Sequence, residues 1–113
     1  MGTGWYQLGV RALDGSTVLE FEVVSPVGVG EVFVIAGQSN SANFVDPVQV
    51  PNDDRVNAVD LDNLVWVPAL DPQPNADGRG GSPWPEFGDL LAAQADVPVG
   101  TLSVGVCGTS VDQ

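Results

Sequence analysis

Residues 31–40 read EVFVIAGQSN, and the interpretation of the whole chain begins from this stretch. Positions 32–36 are all apolar and do not alternate with polar residues, which is typical of a strand covered on both faces in a parallel sheet. The run stops at Gly37, and Ser39 lies in the turn that follows. Because sites in open α/β sheets form at the carboxyl ends of the strands, Ser39 is the first candidate functional residue.

A second strand of the same kind is predicted over residues 99–106, and it ends in the loop 107–110, CGTS. A helix is predicted between the two strands. Ser82 is its predicted cap, apolar residues repeat with helical spacing over 87–95, and Pro98 ends it. Strand, helix and strand then form a β-α-β unit, which connects parallel strands with a right-handed crossover.

The N-terminal segment has a different pattern. Residues 5–11 and 17–24 place apolar side chains near every second position, and Gly15 lies in the turn between them. This arrangement predicts an antiparallel hairpin with one polar face. Residues 25–30, SPVGVG, are predicted to break the second strand and to form a linker.

The remaining segment, residues 46–81, is rich in Asp, Asn, Pro and Gly and is predicted to be a long surface connection. Two short β-like patches within it, 55–59 and 64–67, predict a small hairpin. A connection of this length is uncommon unless it has a function. The predicted domain division is an upstream β module at 1–29 and an α/β domain at 30–113.

The α/β part is predicted to be unfinished. Parallel sheets are covered by helices on both faces, and the chain offers one convincing helix for its two parallel strands. We therefore expect residues 30–113 to be the first β-α-β part of a larger α/β domain. One apolar face of the sheet is then left in water, which predicts that the chain alone is prone to aggregate.

The composition excludes several classes of function. The chain has 15 acidic and 3 basic residues and a formal charge of -12, so it lacks the Lys/Arg clusters that bind nucleic acid or anionic membranes. No apolar stretch approaches the roughly 20 residues of a membrane-spanning helix. A single cysteine, Cys107, allows no intramolecular disulfide. Because the sequence has no histidine, this chain alone cannot carry Ser-His, Cys-His or His-metal chemistry.

Ser39 and Gly108 are the residues that indicate chemistry. A serine hydroxyl directly after a buried strand is a candidate nucleophile, and its own N–H is a candidate oxyanion donor. If the two strands are parallel neighbours, the Gly108 N–H lies at the same edge and donates to the same oxyanion. The alternative is that both segments are ordinary turns, with Thr109 or Ser110 as a helix cap.

Residues 33–40, FVIAGQSN, resemble the first block of the SGNH hydrolase superfamily, and more narrowly the sialate O-acetylesterase-like carbohydrate esterases. Residues 97–100 (VPVG) and 108–111 (GTSV) resemble that family's second block, and 81–84 (GSPW) is similar to the stretch ahead of its helix. The resemblance covers residues 30–113. It implies a three-layer, flavodoxin-like parallel sheet, preceded by a β-hairpin from a β-sandwich module.

The resemblance also implies roles for individual residues. Ser39 is then the nucleophile and an oxyanion donor, and Gly108 is a second oxyanion donor. The implied substrate contacts are Gln38, Asn40, Thr109 and Trp84. The implied substrate is an O-acetylated (or similarly acylated) carbohydrate, no cofactor or metal is implied, and the implied compartment is extracellular or periplasmic.

The sequence departs from the family pattern in three places. Cys107 stands where many relatives have a glycine, although the donor glycine is still present. The family's third block, a Gln-Gly-Glu-like stretch, is absent, and so is the terminal Asp-x-x-His that supplies the base. The fragment is therefore expected to be inactive alone, with the missing C-terminal half of its domain as a partner.

Three alternatives remain open from the sequence. The chain could be a non-catalytic carbohydrate-binding or structural module built on an esterase-like scaffold. Alternatively, the hairpin could belong to a larger β-sandwich whose adhesion role dominates. The acidic pairs Asp53/Asp54 and Asp60/Asp62 could be imagined as calcium ligands, but the fixed spacing of a calcium loop is missing, so solvated surface charge is the favoured interpretation.

Overall fold

The computed structural model describes residues 2–110. These residues form a two-stranded sheet, a four-stranded sheet and one α-helix, a mixed α/β arrangement in which strands dominate. The elements are β1 (Gly4–Asp14), β2 (Thr17–Val29), β3 (Glu31–Ile35), a short 3-10 turn (Ser39–Ser41), β4 (Val56–Asp60), β5 (Val65–Pro68), α1 (Trp84–Ala95) and β6 (Val99–Ser103).

The predicted N-terminal hairpin is confirmed, but its second strand is longer than predicted. β1 and β2 pair antiparallel around a turn in which Gly15 has φ +61°. The predicted break at 25–30 is wrong, because β2 continues to Val29 and pairs there with Gly4. A register shift between Tyr6 and Leu8 accommodates the proline-containing stretch of β2. Proline is tolerated at such a bulge, since no ladder hydrogen bond is required there.

Gly30 alone separates β2 from β3, next to the predicted boundary between residues 29 and 30. A Cβ atom at Gly30 would overlap the carbonyl oxygen of Pro98, and the Glu31 N–H donates to that same oxygen at 3.0 Å. The chain therefore enters the four-stranded sheet through a close backbone crossing that only glycine allows.

The four-stranded sheet has the order β3-β6-β4-β5. β6 runs parallel to both β3 and β4, whereas β5 is antiparallel to β4. The predicted parallel pairing of the two apolar strands is thus confirmed. The small hairpin of the long connection is also present, but β4 joins the main sheet beside β6, which the sequence pattern did not predict.

β6 ends at Ser103, earlier than the predicted Val106. The backbone nevertheless continues alongside β3, since the Val104 N–H donates to Ile35 O at 2.8 Å and the Val106 N–H donates to Gly37 O at 2.9 Å. The two strands therefore remain paired beyond their regular parts, as far as the loops that follow them.

Helix α1 packs on one face of this sheet. The buried apolar core consists of Val56, Ala58, Ala69, Ala92, Val97 and Val99, with Phe33 and Leu91 packed against it. Gly88 lies where α1 crosses β4, and a Cβ there would overlap a methyl of Val56. The predicted Ser82 cap is present only as a long contact. Pro83 is the N-cap residue, and the buried Ser82 hydroxyl donates to Asp71 Oδ1 at 2.6 Å while its oxygen accepts the Trp84 N–H at 3.4 Å.

The opposite face of the sheet, here called the open face, has no helix over it within residues 2–110. By strand alternation and register it consists of Val32, Val34, Asn57, Val59, Trp66, Pro68, Gly100 and Leu102. Val32 is 64% exposed, Val34 is 68% exposed, and the Trp66 ring lies over Gly100. β3 is therefore covered on one face only, which is the outcome expected from a single helix.

Candidate active site

The two loops singled out from the sequence lie at the same edge of the sheet. Loop A (residues 37–42) follows β3 and loop B (residues 104–110) follows β6, and these strands are adjacent and parallel. The loops touch directly, since a Cβ atom added at Gly105 would lie 2.8 Å from Ser41 Oγ and 3.0 Å from Ala42 Cβ. The predicted juxtaposition of the two loops is therefore present.

Ser39 begins the 3-10 turn of loop A and is half-buried. The turn is closed by hydrogen bonds from the Ser41 N–H and the Ser41 hydroxyl to Gln38 O, at 2.9 and 2.8 Å. Within residues 2–110, neither the N–H nor the hydroxyl of Ser39 makes a hydrogen bond. Loop A therefore presents a serine whose donor groups are both unused.

Gly108 occupies the turn of loop B with φ +72°, a conformation that L side chains rarely adopt. Its N–H has no hydrogen-bond partner within the described part of the chain. The preceding N–H, that of the exposed Cys107, is occupied, because it donates to Asp77 Oδ2 at 2.9 Å. Loop B therefore offers the Gly108 N–H as an available donor.

A shallow groove runs between the two loops. Its lining consists of Ala36, Gly37, Gln38, Asn40, Val104, Val106, Thr109 and Ser110. Three of the predicted substrate contacts, Gln38, Asn40 and Thr109, are in this set, whereas Ser39 and Gly108 lie beside it. None of the lining side chains is titratable. The groove therefore supplies hydrogen-bonding groups and apolar surface, but no acid or base.

Trp84, the fourth predicted substrate contact, supports loop A from the helix side. Its Nε1–H donates to Ser41 O at 2.9 Å, and its ring meets Phe87 edge-on at a centroid distance of 6.1 Å. Phe87 in turn meets Phe33 of β3 at 5.3 Å. In the described residues Trp84 is half-buried and holds the loop in place, while sugar stacking by this residue stays a prediction.

The sequence interpretation missed a buried polar network beneath loop A. Asn43 receives the Gln73 N–H at 2.7 Å and donates to Gln73 O at 3.0 Å, so its side chain pairs with the backbone of the long connection. Asp71 accepts from the Ser82 N–H, the Ser82 hydroxyl and the Gln49 N–H. These residues lie in a polar stretch without periodicity. Its sequence has the same character as that of a solvated loop, so the network could not be recognised.

One member of each acidic pair that was considered as calcium ligands, Asp53 and Asp60, is engaged by other groups. Hydrogen bonds from the Asn63 side chain and from backbone N–H groups lower the pKa of Asp60. Asp53 bonds the guanidinium of Arg55 at 2.7 Å. Within residues 2–110, no group of three or more His, Cys, Asp or Glu side chains is arranged to hold a metal.

The two loops bring unused hydrogen-bond donors to one edge of the sheet, but within residues 2–110 no acid or base lines the groove between them. Backbone amides at a fixed edge are the usual components of an oxyanion hole, so the unpaired N–H groups of Ser39 and Gly108 are candidate donors. An unassisted serine hydroxyl is a weak nucleophile at neutral pH. A base from outside the described residues would be required for acyl transfer.

Comparisons with known proteins identified no relative of this chain. No family model matches the chain, and neither the curated proteins nor the solved structures gave a match. Among the helices within residues 2–110, none combines the length and the apolar character needed to cross a membrane.

Proposed function

We propose that this chain is the nucleophile-bearing part of an SGNH-type, sialate O-acetylesterase-like serine esterase that removes O-acetyl or similar acyl groups from carbohydrate. The observation that carries the proposal is the pair of unpaired N–H groups, on Ser39 and Gly108, in loops that follow adjacent parallel strands. Gly108 is exposed and Ser39 is half-buried, so both donors are accessible to a ligand from solvent.

In the proposed reaction the Ser39 oxygen attacks the ester carbonyl carbon while its proton passes to a base. The carbonyl π electrons move to the oxygen, and the resulting oxyanion accepts hydrogen bonds from the N–H groups of Ser39 and Gly108. Collapse of the tetrahedral intermediate expels the sugar alkoxide, which takes the proton from the base. Water then hydrolyses the acyl-serine by the same steps in reverse roles.

The base in this proposal is a histidine, and it must belong to a polypeptide segment outside these 113 residues because the sequence contains none. The open face supports such a segment, since it is apolar except for Asn57 and none of its eight residues is charged in a chain of net charge -12. A helix on this face and strands beyond β3 would complete the three-layer, flavodoxin-like sheet. No metal or cofactor takes part in this mechanism.

One observation favours a second candidate function, a non-catalytic carbohydrate-binding module. The groove has no titratable lining residue, yet it presents the amides of Gln38 and Asn40 and the partly apolar surface of Val104 and Val106. Amide groups beside apolar surface suit neutral sugar hydroxyls and ring faces. Such a module would bind a glycan equally well with or without the Ser39 hydroxyl.

The esterase proposal is tested by supplying the missing base as free imidazole. Hydrolysis of p-nitrophenyl acetate is measured for the wild-type chain and for Ser39→Ala, with Ser16→Ala in the hairpin turn as a matched control. Without imidazole, all three proteins should give the same rate, because no base is present. With imidazole, the wild type and Ser16→Ala should exceed Ser39→Ala.

Two results would count against the esterase. An equal imidazole-dependent rate in all three proteins means that Ser39 is not a nucleophile. If the Ser39→Ala protein also binds a neutral acetylated oligosaccharide as tightly as the wild type, the non-catalytic binding module is the better account.

A further inference from the structure

Asp77, in the long connection, forms hydrogen bonds to loop B and to Asn43, the residue that follows loop A. Its backbone N–H donates to Gly105 O at 2.9 Å, and its carboxylate Oδ2 accepts the Cys107 N–H at 2.9 Å. Its backbone carbonyl accepts the Asn43 N–H at 2.9 Å, directly after loop A. Asp77 therefore connects loop B to the end of loop A by three hydrogen bonds.

The attachment on the loop A side is rigid. The side chain of Asn43, only 1% exposed, donates to Ala76 O at 3.1 Å and to Gln73 O at 3.0 Å, just before Asp77 in the chain. After Asp77, the Gly80 N–H donates to Asn43 O at 2.9 Å. A Cβ at Gly78 would overlap that same carbonyl. The backbone of Asp77 is thus fixed on both sides to the segment that follows Ser39.

The side chain of Asp77 pairs with the donor next to the one that loop B leaves free. The carboxylate occupies the Cys107 N–H, and the next N–H along the chain, that of Gly108, stays unpaired. A carboxylate is a strong acceptor for a backbone N–H. Without it, the Cys107-Gly108 turn would lose a side-chain anchor to the long connection, and the hydrogen bond from the Asp77 backbone would hold loop B at Gly105, two residues earlier.

We propose that Asp77 is a positioning residue, which holds loop B so that the Gly108 N–H stays directed to the site occupied by Ser39. This role rests on the proposed esterase function, and it assigns a purpose to the long connection. Asp77 does not touch the reacting atoms in this account. It acts through Cys107 and Gly108.

The test compares Asp77→Ala, which removes the acceptor, with Asp77→Asn, which keeps an oxygen in the same place. Asp62→Ala, an exposed acid whose side chain makes no hydrogen bond within residues 2–110, is the matched control. Hydrogen exchange of the Cys107 and Gly108 amides is followed by NMR. Exchange at Cys107 should be about tenfold faster in Asp77→Ala, and near the wild-type rate in Asp77→Asn and Asp62→Ala.

The second readout is the Ser39-dependent, imidazole-assisted hydrolysis of p-nitrophenyl acetate. Asp77→Ala should lower its maximal rate about tenfold, because the Gly108 N–H would no longer be held where it donates to the oxyanion, and Asp77→Asn should restore most of the rate. If Asp77→Ala does not fold, Asp77→Gln is used in its place. The glutamine amide oxygen lies one methylene farther from the backbone than the oxygen that accepts the Cys107 N–H.

The outcomes separate this proposal from the esterase itself. Unchanged Cys107 exchange in Asp77→Ala overturns the positioning role, and so does faster exchange with an unchanged Ser39-dependent rate. If the wild type has no Ser39-dependent rate, the esterase proposal falls, and the catalytic purpose of Asp77 falls with it. The exchange data alone would then still decide whether Asp77 anchors loop B.

Discussion

The two faces of the four-stranded sheet are built from the same strands and have opposite surroundings. On the helix side, Val56 and Val99 are each 1% exposed beneath α1, whereas on the open face Val32 is 64% and Val34 is 68% exposed. Alternate residues of one strand, β3, belong to both faces. The difference shows that an apolar strand pattern predicts a strand, but the covering elements decide how much each side chain contributes to stability.

The largest expected effect compares one valine on each face. Val99→Ala should lower the free energy of unfolding by about 2–3 kcal/mol, because it removes buried methyl groups and leaves a cavity. Val34→Ala should change it by less than about 0.5 kcal/mol, because the side chain is already in water. Urea titration of both variants measures the difference. Equal losses would mean that the open face is covered in solution.

The next effect concerns the polar network that adjoins the buried core. Asp71→Ala should lower the free energy of unfolding by about 2 kcal/mol, since the buried Ser82 N–H and the half-buried Gln49 N–H would lose their acceptor. Asp46→Ala, an exposed acid without a hydrogen bond inside residues 2–110, is the control and should have almost no effect. A loss as small as that of the control would show that water replaces the carboxylate.

A third effect concerns solubility rather than stability. Val34→Lys places a charge in the open face and should reduce binding of a hydrophobic dye and light scattering at a given concentration. Val48→Lys, at an exposed valine of the long connection, is the matched control and should reduce neither. If the wild-type chain binds no more dye and scatters no more light than Val34→Lys, the argument that the open face needs a cover is wrong.

The smallest effect is a pH dependence on the helix side. Hydrogen bonds from Arg55 hold the pKa of Asp53 below its usual value. The pair therefore stabilises the fold above the unfolded pKa of about 3.9, and this contribution is lost as the pH falls through the lower folded pKa. Asp53→Asn should lower the unfolding midpoint slightly at pH 7 and not at all near pH 2, with Asp54→Asn as control. An offset that does not depend on pH would contradict the ionic origin.

Much of this fold could be predicted from local patterns. The hairpin around Gly15, the apolar strands β3 and β6 and the helix before Pro98 each follow from periodicity and turn residues. The place of β4 beside β6 could not be predicted, because strand order depends on contacts between distant segments. One of these contacts is the Val99 N–H to Arg55 O hydrogen bond, at 2.9 Å.

The site was predictable to the extent that it depends on topology. Ser39 and Gly108 follow two parallel strands, so their loops had to meet if those strands were neighbours. Asp77 and Asn43 could not be recognised, because a polar residue in an aperiodic polar loop has the same appearance whether it is solvated or anchors a loop. The full role of Ser82 could not be predicted for a related reason, since its hydroxyl donates to Asp71, a contact that its local sequence does not indicate.

The central claim is that Ser39 and the Gly108 N–H bind one tetrahedral oxyanion. Methylboronic acid tests this claim most directly, because its boron accepts the serine oxygen and forms a tetrahedral mimic of the acetyl intermediate. The account predicts that the ¹⁵N–¹H signal of Gly108 shifts saturably on titration of the wild-type chain and does not move in Ser39→Ala. A Gly108 signal that stays in place in the wild type, or shifts equally in both proteins, would contradict it.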